Sequence, residues 1–117
     1  MTNAIQIKIE EMNQRKIIRL QGKIDALTTP VLESKILPLL ETEKKILMDF
    51  SKVDYLSSAG MRFLLTASRK LKGKGGILVV FGLNEEVTEI IKMSGFDRIL
   101  TLCPNELAAL KVLEKNV

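Results

Sequence analysis

Ser57 and Ser58, followed by Ala59 and Gly60, are the residues of this chain whose types and spacing could do chemistry. They lie in Asp54-Tyr55-Leu56-Ser57-Ser58-Ala59-Gly60-Met61-Arg62. The apolar run Ile46-Leu47-Met48-Asp49-Phe50 leads into this stretch, and an amphipathic segment from roughly Met61 to Leu71 leaves it. A strand that feeds a helix through small residues exposes a serine at the joint, with backbone donors aimed outward. Such a serine can be a nucleophile, a helix cap, or a switch residue that another protein's active site reaches. The nucleophile reading fails on its partners. The chain has no histidine, which removes Ser-His-Asp catalysis, histidine metal sites and histidine base chemistry together. No lysine base is evident near Ser58, and the joint does not read GxSxG. No catalytic residue is expected, and the chain is not expected to be an enzyme.

Other chemistries are excluded in the same way. Cys103 is the only cysteine, so an intramolecular disulfide is impossible and a zinc site implausible, which fits a reducing cytoplasm. Neither GxxxxGK[ST] nor GxGxxG occurs. The run Lys72-Gly73-Lys74-Gly75-Gly76 precedes a strand and reads as a helix stop and turn. No cofactor or metal is expected. The net charge is +4, with lysines at Lys44-Lys45 and at Lys70, Lys72 and Lys74. No aromatic ladder accompanies them, so they read as solvated helix ends rather than a nucleic-acid surface. The longest apolar run, Ile77 to Phe81, is the length of a strand, and no membrane span is expected. Met1-Thr2-Asn3-Ala4-Ile5 lacks the basic-then-apolar order of a signal peptide.

The elements that must position the serines follow from hydrophobic periodicity. Residues 1–117 read as one domain. Ile5, Ile7 and Ile9 alternate with polar residues, and Lys16 to Leu20 forms a second strand beyond a turn at Asn13-Gln14. Gly22 is expected to end that strand, with Gly22-Lys23-Ile24-Asp25 as a tight exit. Thr29 is the expected cap of a helix with Pro30 at its first position and Pro38 kinking or shortening it. Lys45 to Phe50 and Ile77 to Phe81 are buried strands. Asn84 caps a helix ended by Gly95; Ile99 to Leu102 is a short strand; Asn105 caps the last helix. The order β-β-α-β-α-β-α-β-α implies an α/β fold: a mixed, mostly parallel sheet with an N-terminal hairpin and about four helices. In such sheets function gathers at the carboxyl ends of strands, which singles out the loops Gly22 to Asp25 and Asp54 to Gly60.

On these residues the chain resembles the STAS domain family, and within it the bacterial anti-sigma-factor antagonists. The resemblance rests on the early hairpin, then Gly22-Lys23-Ile24-Asp25, then Val53 to Met61, then Met93-Ser94-Gly95-Phe96-Asp97. In that family an aspartate commonly precedes the phosphorylated serine or threonine, and a glycine follows two residues later. The resemblance places the phosphorylated position on Ser58 and the glycine on Gly60, with Ser57 as the alternative acceptor. The aspartate position falls on Ser57, a departure from the pattern. Asp25 matches the family's acidic residue on the neighbouring loop.

The resemblance implies a binding module that switches partners. Unphosphorylated, it would bind an anti-sigma factor that is also a serine kinase, and so free a sigma factor. Phosphorylation of Ser58 would eject it, and a serine phosphatase would reset it. Asp25, Ser57, Ser58, Ala59, Gly60, Met61 and Arg62 form the expected partner surface. Ser58 is expected to cap the helix. Gly60 is expected to serve backbone geometry, while its lack of a side chain would let a partner's backbone approach; Met61 is expected to be buried beside it. A cytoplasmic monomer is expected, with no direct contact to nucleic acid or membrane. The alternative is a STAS subunit of another assembly, such as a lipid-transport ABC complex or a sensory scaffold, using the same loop as a permanent docking surface.

Overall fold

The computed structural model describes residues 5–115. The stretch read for a signal peptide therefore lies, apart from Ile5, outside the described residues. The chain opens with a hairpin, β1 (Gln6–Met12) and β2 (Arg15–Ile24). Its two-residue turn puts Asn13 (φ 50°) and Gln14 (φ 67°) in the left-handed region, the conformation whose twist suits a tight hairpin. Then follow α1 (Thr29–Thr42), β3 (Lys45–Leu56), α2 (Ser58–Gly73), β4 (Ile77–Phe81), α3 (Glu85–Ser94), a 3-10 turn (Phe96–Arg98), β5 (Thr101–Cys103) and α4 (Glu106–Lys115). The sheet runs β1-β2-β3-β4-β5; β1 and β2 are antiparallel and every other pair is parallel.

The period of two in each strand splits the core across the sheet. Ile18, Met48 and Val80 face one side, where α1, α2 and α3 cover them with Ile36, Leu64 and Val87. Ile17, Leu47 and Val79 face the other, where α4 lays Ala109 and Leu113 on them. On that second side Arg19 donates to Asp49 (2.8 Å), Glu106 (3.0 Å) and Glu10 (3.2 Å), which ties β1, β2, β3 and α4 together. These bonds, Glu106 first, raise the Arg19 pKa. The bond from Arg19 likewise lowers that of Glu10. Burial pushes Asp49 upward, but the Ser51 hydroxyl, the Ser51 N–H and Arg19 outweigh it and hold the carboxyl below its usual range. Among the described residues no helix is long and apolar enough to cross a membrane.

Several boundaries differ from the sequence expectation. β2 does not stop at Gly22 but runs to Ile24, through register shifts between Arg19 and Gln21 and between Gly22 and Lys23. Gly22 sits there at φ +122°, open to glycine but rarely to other residues. β3 continues past Phe50 to Leu56, pairing Gly22 with Val53 and Ile24 with Leu56. Polar Ser51-Lys52 and Asp54-Tyr55 hide this extension, because bulged pairing breaks the alternation that marks a strand. Pro38 does not end α1, which runs through it to Thr42. The last strand is displaced to Thr101–Cys103, since Phe96–Arg98 forms the 3-10 turn. The longer β3 matters most, because it carries the serine joint out on a paired strand.

Candidate functional site

The joint between β3 and α2 is one residue long. Ser57 has extended backbone (φ −86°, ψ 172°), and helix begins at Ser58, not near Met61. Ser57, rather than Ser58, is the cap. Its N–H donates to the Ile24 carbonyl at 2.8 Å, locking the joint to the end of β2. Its Oγ accepts from the Gly60 N–H at 3.2 Å, and its carbonyl accepts from the Met61 N–H at 2.9 Å. Of the donors that a helix start leaves without intrahelical partners, those of Ser58 and Ala59 are the ones this arrangement leaves over. Ser58 is exposed, and among the described residues its hydroxyl makes no hydrogen bond.

The remaining residues of the joint divide by face. Ser58, Arg62 and Thr66 recur every four residues and are all exposed, forming one outward stripe of α2. Gly60 and Met61 point inward. A Cβ on Gly60 would sit 2.5 Å from Ile24 Cγ2 and 2.8 Å from Leu56 Cδ1. The glycine therefore seats α2 on the ends of β2 and β3, a backbone role that holds whether or not a partner docks here. Met61 is only 6% exposed, and the Ser94 hydroxyl lies 3.3 Å from its Sδ. Neither residue offers a side chain to a partner.

Asp25 also turns inward. One carboxylate oxygen, Oδ1, accepts from the N–H groups of Leu27 (2.9 Å) and Thr28 (3.0 Å) and from the Thr28 hydroxyl (3.3 Å). The Asp25 carbonyl accepts from the Thr29 hydroxyl at 2.6 Å and the Thr29 N–H at 2.9 Å. The Thr28 N–H, followed by that of Leu27, holds the Asp25 carboxyl below its usual range. The cap position of α1 is therefore Thr28 rather than Thr29, and Pro30 lies inside the first turn. The carboxylate moulds a rigid turn whose tip is Leu27, 85% exposed. Hydrophobic periodicity did not find Leu27, because a leucine in a three-residue turn has no period to belong to. Half-exposed Tyr55 escapes it for another reason: it lies on the part of β3 whose bulged pairing breaks the alternation.

The two loops meet at a cleft of about 390 Å³ between α1 and α2. Ala26, Pro30 and Glu33 line one wall, and Ala59, Arg62 and Phe63 the other. Glu33 and Arg62 are its only charged residues. The structure thus brings the Asp25 turn, Ser58, Ala59 and Arg62 to one end of the molecule and withdraws Gly60 and Met61 beneath them. The arrangement can present an apolar tip, a free hydroxyl and a shallow cleft to another protein.

This geometry has counterparts among known proteins. A family model described as "STAS domain" matches residues 6–109. The anti-sigma F factor antagonist of Paenibacillus polymyxa is 26% identical over 112 residues, covering 94% of this chain and 96% of that one. The anti-sigma-B factor antagonist of Bacillus subtilis is 24% identical over 98 residues, covering 84% and 90%. Among solved structures, an anti-sigma factor antagonist from Mycobacterium paratuberculosis superposes with a TM-score of 0.89 at 25% identity, covering 97% of each chain.

Proposed function

The chain belongs to the STAS domain family, and from that premise we propose that it is an anti-sigma factor antagonist switched by phosphorylation of Ser58. In the unmodified state the end of the molecule formed by the Asp25 turn, Ser58, Ala59 and Arg62 binds an anti-sigma factor that is also a serine kinase. The sigma factor held by that kinase is then released. The protein acts in the cytoplasm as a substrate and binding module, and a separate serine phosphatase resets it.

One observation carries this reading: Ser58 is exposed, at the first helical position, with its hydroxyl uncommitted. A kinase supplies what the site lacks. The Ser58 oxygen attacks the γ-phosphorus of kinase-bound ATP, and the new O–P bond replaces the bond to the β-phosphate oxygen. The hydroxyl proton passes to a base of the kinase, and ADP leaves. The product carries a charge of about −1.5 to −2 at the start of α2, where the helix dipole and the N–H groups of Ser58 and Ala59 tolerate it. The fold need not change for a partner packed against Ser58 to be expelled. Ser57 is a poorer acceptor, because its oxygen already caps Gly60 and modification would unseat the helix start.

The test pairs site mapping with binding. Mass spectrometry of protein from its native cells is expected to place phosphate on Ser58, removable by phosphatase. Ser58→Asp is expected to abolish binding to the kinase and Ser58→Ala to preserve it. Tight binding by Ser58→Asp would overturn the charge mechanism. A total lack of phosphate across growth and stress conditions would favour the same surface serving as a permanent dock in another STAS assembly.

A further inference from the structure

Resting on the reading of Ser58 as the modified residue, we propose that Arg62 is the built-in counter-ion of its phosphate. The starting point is a cation without a partner. Arg62 lies in the second turn of α2, where the helix dipole gives a cation no support, unlike Lys70 and Lys72 in the last turn. From Ser58 to Gly73 the helix carries no acidic residue to offset it. Among the described residues Arg62 makes no ion pair and no side-chain hydrogen bond, although Glu33 lines the same cleft.

A phosphate on Ser58 would give this cation its partner. Residues four apart on a helix stand one above the other, with Cβ atoms about 5–6 Å apart. Helical side chains lean toward the N-terminus, so the turn that holds Ser58 lies on the side to which an Arg62 side chain naturally reaches. Both residues lie on the exposed stripe, and the reach is short for so long a side chain. The planar guanidinium fork matches two phosphate oxygens at once. The N–H groups of Ser58 and Ala59 stand on the other side of the same anion. Phosphate on Ser57 would not gain this partner, because the residue four beyond it is buried Met61. The pairing has a second consequence. Arg62 is the only cation lining the α1–α2 cleft, so drawing it to the phosphate leaves Glu33 as the cleft's only charged residue. Modification thus adds an anion and withdraws a cation at one surface.

The test needs neither the kinase nor the partner. Phosphoserine is installed at position 58 by codon reassignment, and its second ionisation is followed by phosphorus NMR in the otherwise native chain and in Arg62→Gln and Arg62→Lys. That ionisation, ordinarily near pH 6, is expected to lie at least about half a unit lower with Arg62 than with Gln. Lysine is expected to fall between, and the difference to shrink in high salt. The Arg62 Nε signal is expected to move with the same midpoint. Phosphoserine at position 57 is the control, and Arg62→Gln is expected to leave its ionisation unchanged. Equal ionisation in the Arg62 and Gln proteins, or an Arg62 signal that ignores the phosphate, would overturn the proposal. Such a failure would leave the switch itself standing, since that is judged by partner binding; loss of the switch would likewise leave this pairing intact.

Discussion

The starts of α2 and α3 solve one problem with different charge. Each begins after a strand, and each cap side chain accepts from the N–H three residues on: Ser57 from Gly60 at 3.2 Å, Asn84 from Val87 at 2.7 Å. Each seats its third helical position in the core, as Gly60 or as Val87. At α3 the next two residues are Glu85 and Glu86, carboxylates where the dipole favours them. The last helix repeats the pattern, with Asn105 accepting from Ala108 at 2.9 Å and Glu106 beside it. At α2 the corresponding residues are Ser58 and Ala59, and the first turn has no acid. A helix that is only capped takes its negative charge from the sequence. The start of α2 is built to the same plan with that charge left out, and a hydroxyl stands where it could be added.

The largest effect that would test this parallel lies beneath the surface. Gly60→Ala is expected to lower folding stability by about 1–3 kcal/mol, from overpacking against Ile24 and Leu56. Urea denaturation measures it, and a neutral result would mean that α2 is not seated as tightly as α3. The caps come next. Ser57→Ala should cost about 1 kcal/mol, and Asn84→Ala somewhat more, because the Asn84 amide also donates to the Val53 carbonyl at 3.2 Å. Equal losses would remove the distinction between a cap that only closes its helix and one that also braces β3. Charge is the smaller effect. Ser58→Glu is expected to gain, and Glu85→Gln to lose, about 0.3–1 kcal/mol at low salt, both fading as salt rises. Destabilisation by Ser58→Glu would break the parallel, since it would show the start of α2 hostile to negative charge.

Much of this was legible in the sequence. The element order and the caps Asn84 and Asn105 came from local rules, because a cap and an apolar stripe are written within one or two turns of chain. The family came from motifs in fixed order. What stayed hidden depends on pairing across the sheet. Nothing within Ser51-Lys52-Val53-Asp54-Tyr55 announces a strand; it is one because β2, bulged at Gly22, lies beside it. That pairing starts the helix three residues earlier than its apolar stripe suggests and puts the cap on Ser57 rather than Ser58. Asp25 was found as a residue but not as a device, since its role depends on which way its carboxylate turns.

That device gives a third kind of helix start and the smallest effect to measure. α1 has no acid in its first turn, and its cap residue makes no side-chain cap bond. Its carboxylate stands three residues upstream, where Asp25 binds the N–H groups of Leu27 and Thr28. Because the folded turn lowers the Asp25 pKa, with the Thr28 N–H as the leading cause, the stabilisation is fully present above the ordinary value of 3.8. It is lost as pH falls through the lowered value. Amide NMR is expected to show the Leu27 and Thr28 signals moving together with a midpoint below 3.8, while Gly60, held by a hydroxyl, shows no such step. Asp25→Asn keeps a single acceptor oxygen and should abolish the step without dismantling the turn. A midpoint at or above 3.8 would mean that the carboxylate is not engaged in solution. Leu27 would then be the tip of a loose loop rather than a surface held ready beside Ser58.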